Sequence, residues 1–232
     1  MIPNSSRDPK QVLFTLVVAG VLISACTPAN PSSGPSPTST EPVASSSTPT
    51  ASDSAIELEV SSDRLTPGTY TRSDFTPRVT FAISGEWYAV QTAPGFFDVQ
   101  RDVGSPDDIA VQFANVEAAY GAEGEAVPLA SAADATAVIE SNPDLTVLGT
   151  SESRMSGHDG FVVEVENAGR APAMVLHGPP GALSIDAGRR LWIAFFDAGD
   201  GVLAIMVGGS AERWEEALLA AEPLLETVTI GE

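Results

Sequence analysis

The chain has 232 residues, with 31 acidic against 11 basic side chains and a formal charge of −20. Binding to nucleic acid requires a clustered basic surface that releases counterions from phosphates, and no such cluster is present. Its single cysteine, Cys26, has no thiol to pair with, so no disulfide holds the fold together.

The first 25 residues read as an export signal. Arg7 and Lys10 precede an apolar run from Val12 to Ala25, interrupted only at Thr15, Gly20 and Ser24. Fourteen residues fall short of the ~20 that a spanning helix needs, and match a signal-peptide core instead. The run ends in Leu22-Ile23-Ser24-Ala25-Cys26, which resembles the bacterial lipoprotein signal: an aliphatic residue, two small ones, then the cysteine that receives diacylglyceride. The resemblance covers residues 1–26 and implies lipidation at Cys26, since several acyl chains on one residue give stable membrane anchoring. Beyond the signal 9 basic and 30 acidic residues remain, and every remaining cation is an arginine.

Residues 26–54 are the lipidated cysteine and a Ser/Thr/Pro linker with six prolines and almost no large apolar side chain. Nothing in it offsets the entropy of ordering, so the sequence predicts a disordered tether. Its reach lies between ~30 Å as a coil and ~85 Å as polyproline II.

Residues 55–232 form the expected folded domain, large enough for one core. Strand patterns dominate from Gly68 onward. Val79–Ile83 alternates, and Trp87–Thr92 follows the turn Ser84-Gly85-Glu86, which predicts a first hairpin. Gly95–Gln100 and Ile109–Ala114 are further candidate strands, separated by the polar loop Asp102–Asp108. A helix is predicted over Ala132–Ser141: Ser131 caps it, Ala135, Val138 and Ile139 share a face, and Asn142-Pro143 stops it. Leu145–Arg154 and Phe161–Asn167 flank a predicted turn, Gly157-His158-Asp159-Gly160. Leu191–Phe196 and Val202–Val207 are apolar on both faces around the turn Asp197–Gly201, which predicts central strands covered on each side. A last helix, capped by Ser210 and carrying Trp214, Ala217, Leu218, Ala221 and Leu225 on one stripe, is the predicted cover. Pro223 should kink or end it before a short strand, Thr227–Ile230.

The pattern predicts an α+β fold, an antiparallel β-sheet packed against two helices. The order of elements resembles the PsbP-like sandwich. Gly68-Thr69-Tyr70-Thr71, Phe75, Pro77-Arg78-Val79-Thr80-Phe81 and Trp87 are similar to the opening of a group of uncharacterised bacterial secreted lipoproteins. These short packing motifs bear on fold and carry no catalytic residue across.

The residues that bear chemistry have structural readings. His158 and His177 lie beside turn residues without zinc-ligand spacing, and read as exposed turn histidines. Gly-x-Ser-x-Gly is absent, so no nucleophile is marked. Val207-Gly208-Gly209-Ser210 runs toward a helix N-terminus that could hold an anion, but no lysine accompanies it. Asp102, Asp107 and Asp108 in one loop, and Asp197 with Asp200 in another, are oxygen-rich without the alternation of an EF-hand. The loop His177-Gly178-Pro179-Pro180-Gly181 reads as rigid and exposed, and Trp87, Trp192 and Trp214 as core. No catalytic residue, metal or cofactor is assigned. The expected partners are the membrane, through Cys26, and a protein or cell-envelope component bound by a non-enzymatic module. The alternatives are a small-molecule or lipid carrier with an apolar pocket, and a hydrolase built on His158 or His177.

Overall fold

A computed structural model describes residues 55–60, 63–199 and 201–231. The signal segment, Cys26 and the tether lie outside these described residues, as does Asp200.

The chain opens with strands β1 (Ile56–Glu57), β2 (Gly68–Thr71) and β3 (Val79–Ile83), then β4 (Tyr88–Ala93), β5 (Phe96–Arg101) and β6 (Ile109–Val116). Two short strands, β7 (Ala118–Tyr120) and β8 (Ala126–Pro128), lead into helix α1 (Ala132–Ser141). Then come β9 (Thr146–Met155), β10 (His158–Glu166), β11 (Ala173–Gly178) and β12 (Gly181–Ile185). The last elements are β13 (Arg189–Ala198), β14 (Gly201–Ser210), helix α2 (Trp214–Leu225) and β15 (Thr229–Ile230).

These strands make three sheets where the sequence predicted one. A central seven-stranded sheet has the order β4-β5-β6-β14-β13-β10-β9, and two four-stranded sheets flank it, β1-β2-β3-β15 and β12-β11-β7-β8. Pairing is antiparallel except between β1 and β2. The α+β class with mainly antiparallel strands and two helices is as predicted.

The long apolar strands β13 and β14 sit inside the central sheet, and their side chains alternate between two cores. Leu203, Ile205 and Val207 point to one, Val202, Ala204 and Met206 to the other. The first core holds Trp214, Ala217, Ala221 and Leu224 of α2 with Phe81 from the β1–β2–β3–β15 sheet. The second holds Ala132, Ala135 and Ile139 of α1 with Val175, Leu176 and Ile185 from the other small sheet. Each face of the central sheet is thus covered by one helix and one small sheet, so α2 shares the work predicted for it alone. In the first core Phe81, Phe97 and Phe113 stack with centroids 4.4 to 5.4 Å apart. Each buried ring contributes about 1.5–3 kcal/mol by leaving water.

Two predicted turns are corrected. Val79–Ile83 and the strand after it are not a hairpin: β3 pairs with β2 and β15, whereas β4 pairs with β5. The Ser84-Gly85-Glu86 corner, with Gly85 at φ +90°, carries the chain from one sheet to another. The β9–β10 reversal lies at Ser156-Gly157, with φ +51° and +87°, two residues ahead of the predicted centre. Gly160 belongs to β10, where a Cβ would stand 2.1 Å from Phe195 O.

Helix α1 has the predicted bounds. Asp134 N–H donates to Ser131 Oγ at 3.1 Å, and Ala132 N–H donates to Asp197 Oδ1 at 2.6 Å. Buried Asn142 ends it, its amide donating to Tyr120 O and Met174 O, both at 2.9 Å. Ser210 makes no side-chain cap: it ends β14, a 3-10 turn over Ala211–Arg213 follows, and α2 runs through Pro223 to Leu225.

Candidate functional site

The residues singled out by sequence divide into those engaged in the fold and those gathered at one end of it. Val207 to Ser210 belong to the first group. They lie in the β14 ladder, paired with Trp192, Leu191, Arg190 and Arg189, so the backbone is not free to hold an anion. The glycine pair has a packing reason: a Cβ on Gly209 would stand 2.8 Å from Ala217 Cβ, so α2 closes on the sheet only over a bare backbone.

The acidic loops are engaged too. Asp107 lies 2.7 Å from Arg213 Nη1, and Asp108 pairs with Arg189, whose Nη2 also donates to Asp108 O at 3.1 Å. Asp197 caps α1 as above. Among the described residues no group of three or more His, Cys, Asp or Glu side chains is placed to hold a metal. Among the described residues seven of the nine arginines beyond the signal pair with carboxylates, and Arg78 and Arg170 make no ion pair there. Local pairing thus removes most of the cation that a phosphate backbone would need.

Neither histidine is an exposed turn residue. His158 opens β10 and His177 lies in β11, and both are half-buried. His177 Nδ1 is buried without a hydrogen-bond partner among the described residues, so no serine or carboxylate activates that nitrogen. His158 likewise makes no side-chain hydrogen bond or ion pair there. Trp87 and Trp214 are core, and Trp192 packs half-buried against it. In the first core, where a carrier could enclose a ligand between the central sheet and the β1–β2–β3–β15 sheet, the Phe81, Phe97 and Phe113 stack fills the space.

A buried carboxylate that the sequence did not signal is Asp98 on β5, 4% exposed. Its Oδ2 accepts from Gln100 Nε2 at 2.8 Å and Gln112 Nε2 at 3.2 Å, while Oδ1 has no partner among the described residues. Burial pushes its carboxyl above the ordinary value, against the two amide hydrogen bonds that lower it.

At one end of the strands the turns converge on an open cleft of about 1280 Å³. His158, Pro179 of the β11–β12 turn, and Ala198, Gly199 and Gly201 of the β13–β14 turn, noted separately in the sequence, meet there. They are joined by Pro94-Gly95 between β4 and β5, Asn115 to Glu117 at the end of β6, and Asp74 to Arg78 ahead of β3. The floor is knit by backbone bonds, Asn115 N–H to Gly95 O at 2.8 Å and Glu117 N–H to His177 O at 3.0 Å. Gly95, at φ +72°, is fixed by its neighbours as well, since a Cβ there would stand 3.1 Å from both Asn115 Nδ2 and Pro179 Cγ. On the rim Arg78 and Glu117 are exposed and carry no ion pair among the described residues. A rigid frame with open polar groups suits binding, because loops positioned by a scaffold carry recognition at little ordering cost. Sequence spacing gave no sign of this site, which draws on segments from residue 74 to residue 231.

No protein-family model matches the chain, and no curated protein matches it. Among solved structures, it is similar to the solution structure of cyanobacterial PsbP (CyanoP) from Synechocystis sp. PCC 6803, at 11% identity over 70% of this chain and 91% of that one, with a TM-score of 0.41. It is similar to the crystal structure of LpqN, involved in cell envelope biogenesis of Mycobacterium tuberculosis, at 8% identity over 71% and 91%, with a TM-score of 0.40. A third is the Ran-binding protein Mog1p of Saccharomyces cerevisiae, at 8% identity over 66% and 89%, with a TM-score of 0.35.

Proposed function

We propose that this chain is exported, lipidated at Cys26 and held on the extracytoplasmic face of the cell membrane, where the domain after residue 54 binds a protein or envelope component through the turn-end cleft. The cleft carries this reading: turns from both cores form it, and the side chains of Arg78, Glu117 and His158 line it with no hydrogen bond or ion pair among the described residues. Recognition is favoured over catalysis because no nucleophile–base pair is assembled there. Among the described residues no helix is long and apolar enough to cross a membrane, and attachment runs through the lipidated cysteine. The tether lets an acidic domain stand more than a Debye length, about 8 Å, from anionic headgroups.

Photocrosslinking in cells tests the reading. A crosslinker at position 117 of the full chain should capture one discrete envelope species that a crosslinker at exposed Leu219 on α2 does not. Equal capture at both positions, or none at 117, refutes the cleft as the binding site.

A further inference from the structure

Strand β4 is one edge of the central sheet and pairs only with β5. In an antiparallel edge strand alternate N–H and C=O groups point away from the sheet, a ready template for another strand. Those of β4 have no backbone partner among the described residues. Only Trp87, just ahead of the strand, has its carbonyl engaged, by Leu65 N–H at 2.7 Å. Natural edges are blunted with charge or proline. The opposite edge, β9, carries Glu152 and Arg154, whereas β4 reads Tyr-Ala-Val-Gln-Thr-Ala, with neither a charge nor a proline.

Beside the first half of β4 lies an open cleft of about 940 Å³. Val60, Val90 and Val103 line it at 57%, 38% and 50% exposure, three of the seven large apolar side chains left exposed among the described residues. Val90 stands out because the β4–β5 register shifts between Ala89 and Gln91, a bulge that turns it away from the partner strand. Three carboxylates line the cleft, Glu86, Asp102 and Asp107, and each pairs with an arginine, Arg64, Arg101 and Arg213 in turn; these are exposed surface pairs, worth little and open to exchange for an incoming lysine or arginine on a strongly acidic domain.

We propose that this edge docks an extended polypeptide segment of alternating apolar and basic residues, which adds to β4 as an eighth strand of the central sheet. Main-chain hydrogen bonds along β4 supply affinity, the valines receive the apolar side chains, and the carboxylates select lysine or arginine. A second copy of this chain fits poorly, because each copy brings the same large negative charge. The site is separate from the turn-end cleft and stands or falls independently of it.

The test uses the full chain in detergent and a fluorescent octapeptide of alternating valine and lysine. Saturable binding is expected, at least tenfold tighter than for the same peptide with glutamate in place of lysine. It should weaken in high salt and vanish when alternate peptide nitrogens are methylated. Val103→Lys should weaken it at least tenfold with an unchanged melting temperature, the exposure of Val103 leaving the core intact, while Leu219→Lys on α2 should leave it as it was. Equal binding of the glutamate or N-methylated peptide, or indifference to Val103→Lys, overturns the proposal. So does a concentration-dependent dimer with protected β4 amides in the absence of peptide, which would assign the edge to a second copy.

Discussion

Gly209 of β14 and Ala217 of α2 approach so closely that a methyl group added to the glycine would stand 2.8 Å from Ala217 Cβ. Gly209 has no left-handed φ, so the demand for glycine there is steric. Gly209→Ala should cost about 1–3 kcal/mol of overpacking in a urea titration. Ala217→Gly in the same chain should recover part of that loss. Strictly additive effects would refute the contact as the cause.

Asp98 gives a stability signal that runs against the usual direction for carboxylates. Its folded pKa is raised, so the folded state binds more protons than the unfolded one through that window. Stability is therefore full below the ordinary carboxylate value, near ~4, and declines as pH rises through the elevated folded value. Asp98→Asn keeps an oxygen for the Gln100 and Gln112 amides and removes the charge. It should be more stable than the parent at pH 7, with the gap closing in acid. Denaturation from pH 3 to 8 checks this, and a gap independent of pH would show that ionisation of Asp98 is not its source.

Ser131 and Asp197 both cap α1, one by its hydroxyl and the other from the β13–β14 hairpin. Ser131→Ala should cost about 1 kcal/mol. Asp197→Ala should cost a similar amount or more, because it also releases the hairpin from the helix. Thermal melts of the two single variants and the double variant measure this.

Cys26→Ala tests the anchor. The parent should give a mature N-terminus at Cys26 bearing acyl chains by mass spectrometry and should partition into detergent. The variant should be recovered in the aqueous phase. A variant that stays in the detergent phase removes the lipid from the account.

Sequence carried helix α1 and the β13–β14 hairpin well, because their signals are local, whereas α2 starts beyond its expected Ser210 cap and runs through Pro223. Ser131, the Ala135/Ile139 face and Asn142-Pro143 specify α1 within a dozen residues, and the unbroken apolar runs mark buried strands. Pairing was less legible. Thr80 bonds Thr229 across 149 residues, and no pattern in β3 announces β15 as its neighbour. Glycine misled at Gly160, where close approach to Phe195 O, not chain reversal, requires it. His158 and Pro179 were visible as single residues, but their shared cleft arises only when four separate hairpins and the chain end are stacked.

Successive side chains along β14 answer to different cores, which makes this strand a party wall between two rooms. Neither room has a wall of its own to keep if the other is stripped, so the two halves have no independent existence. Trimming, heating or mutating one side should bring down both in a single step, and a partner that stiffens one side steadies the whole.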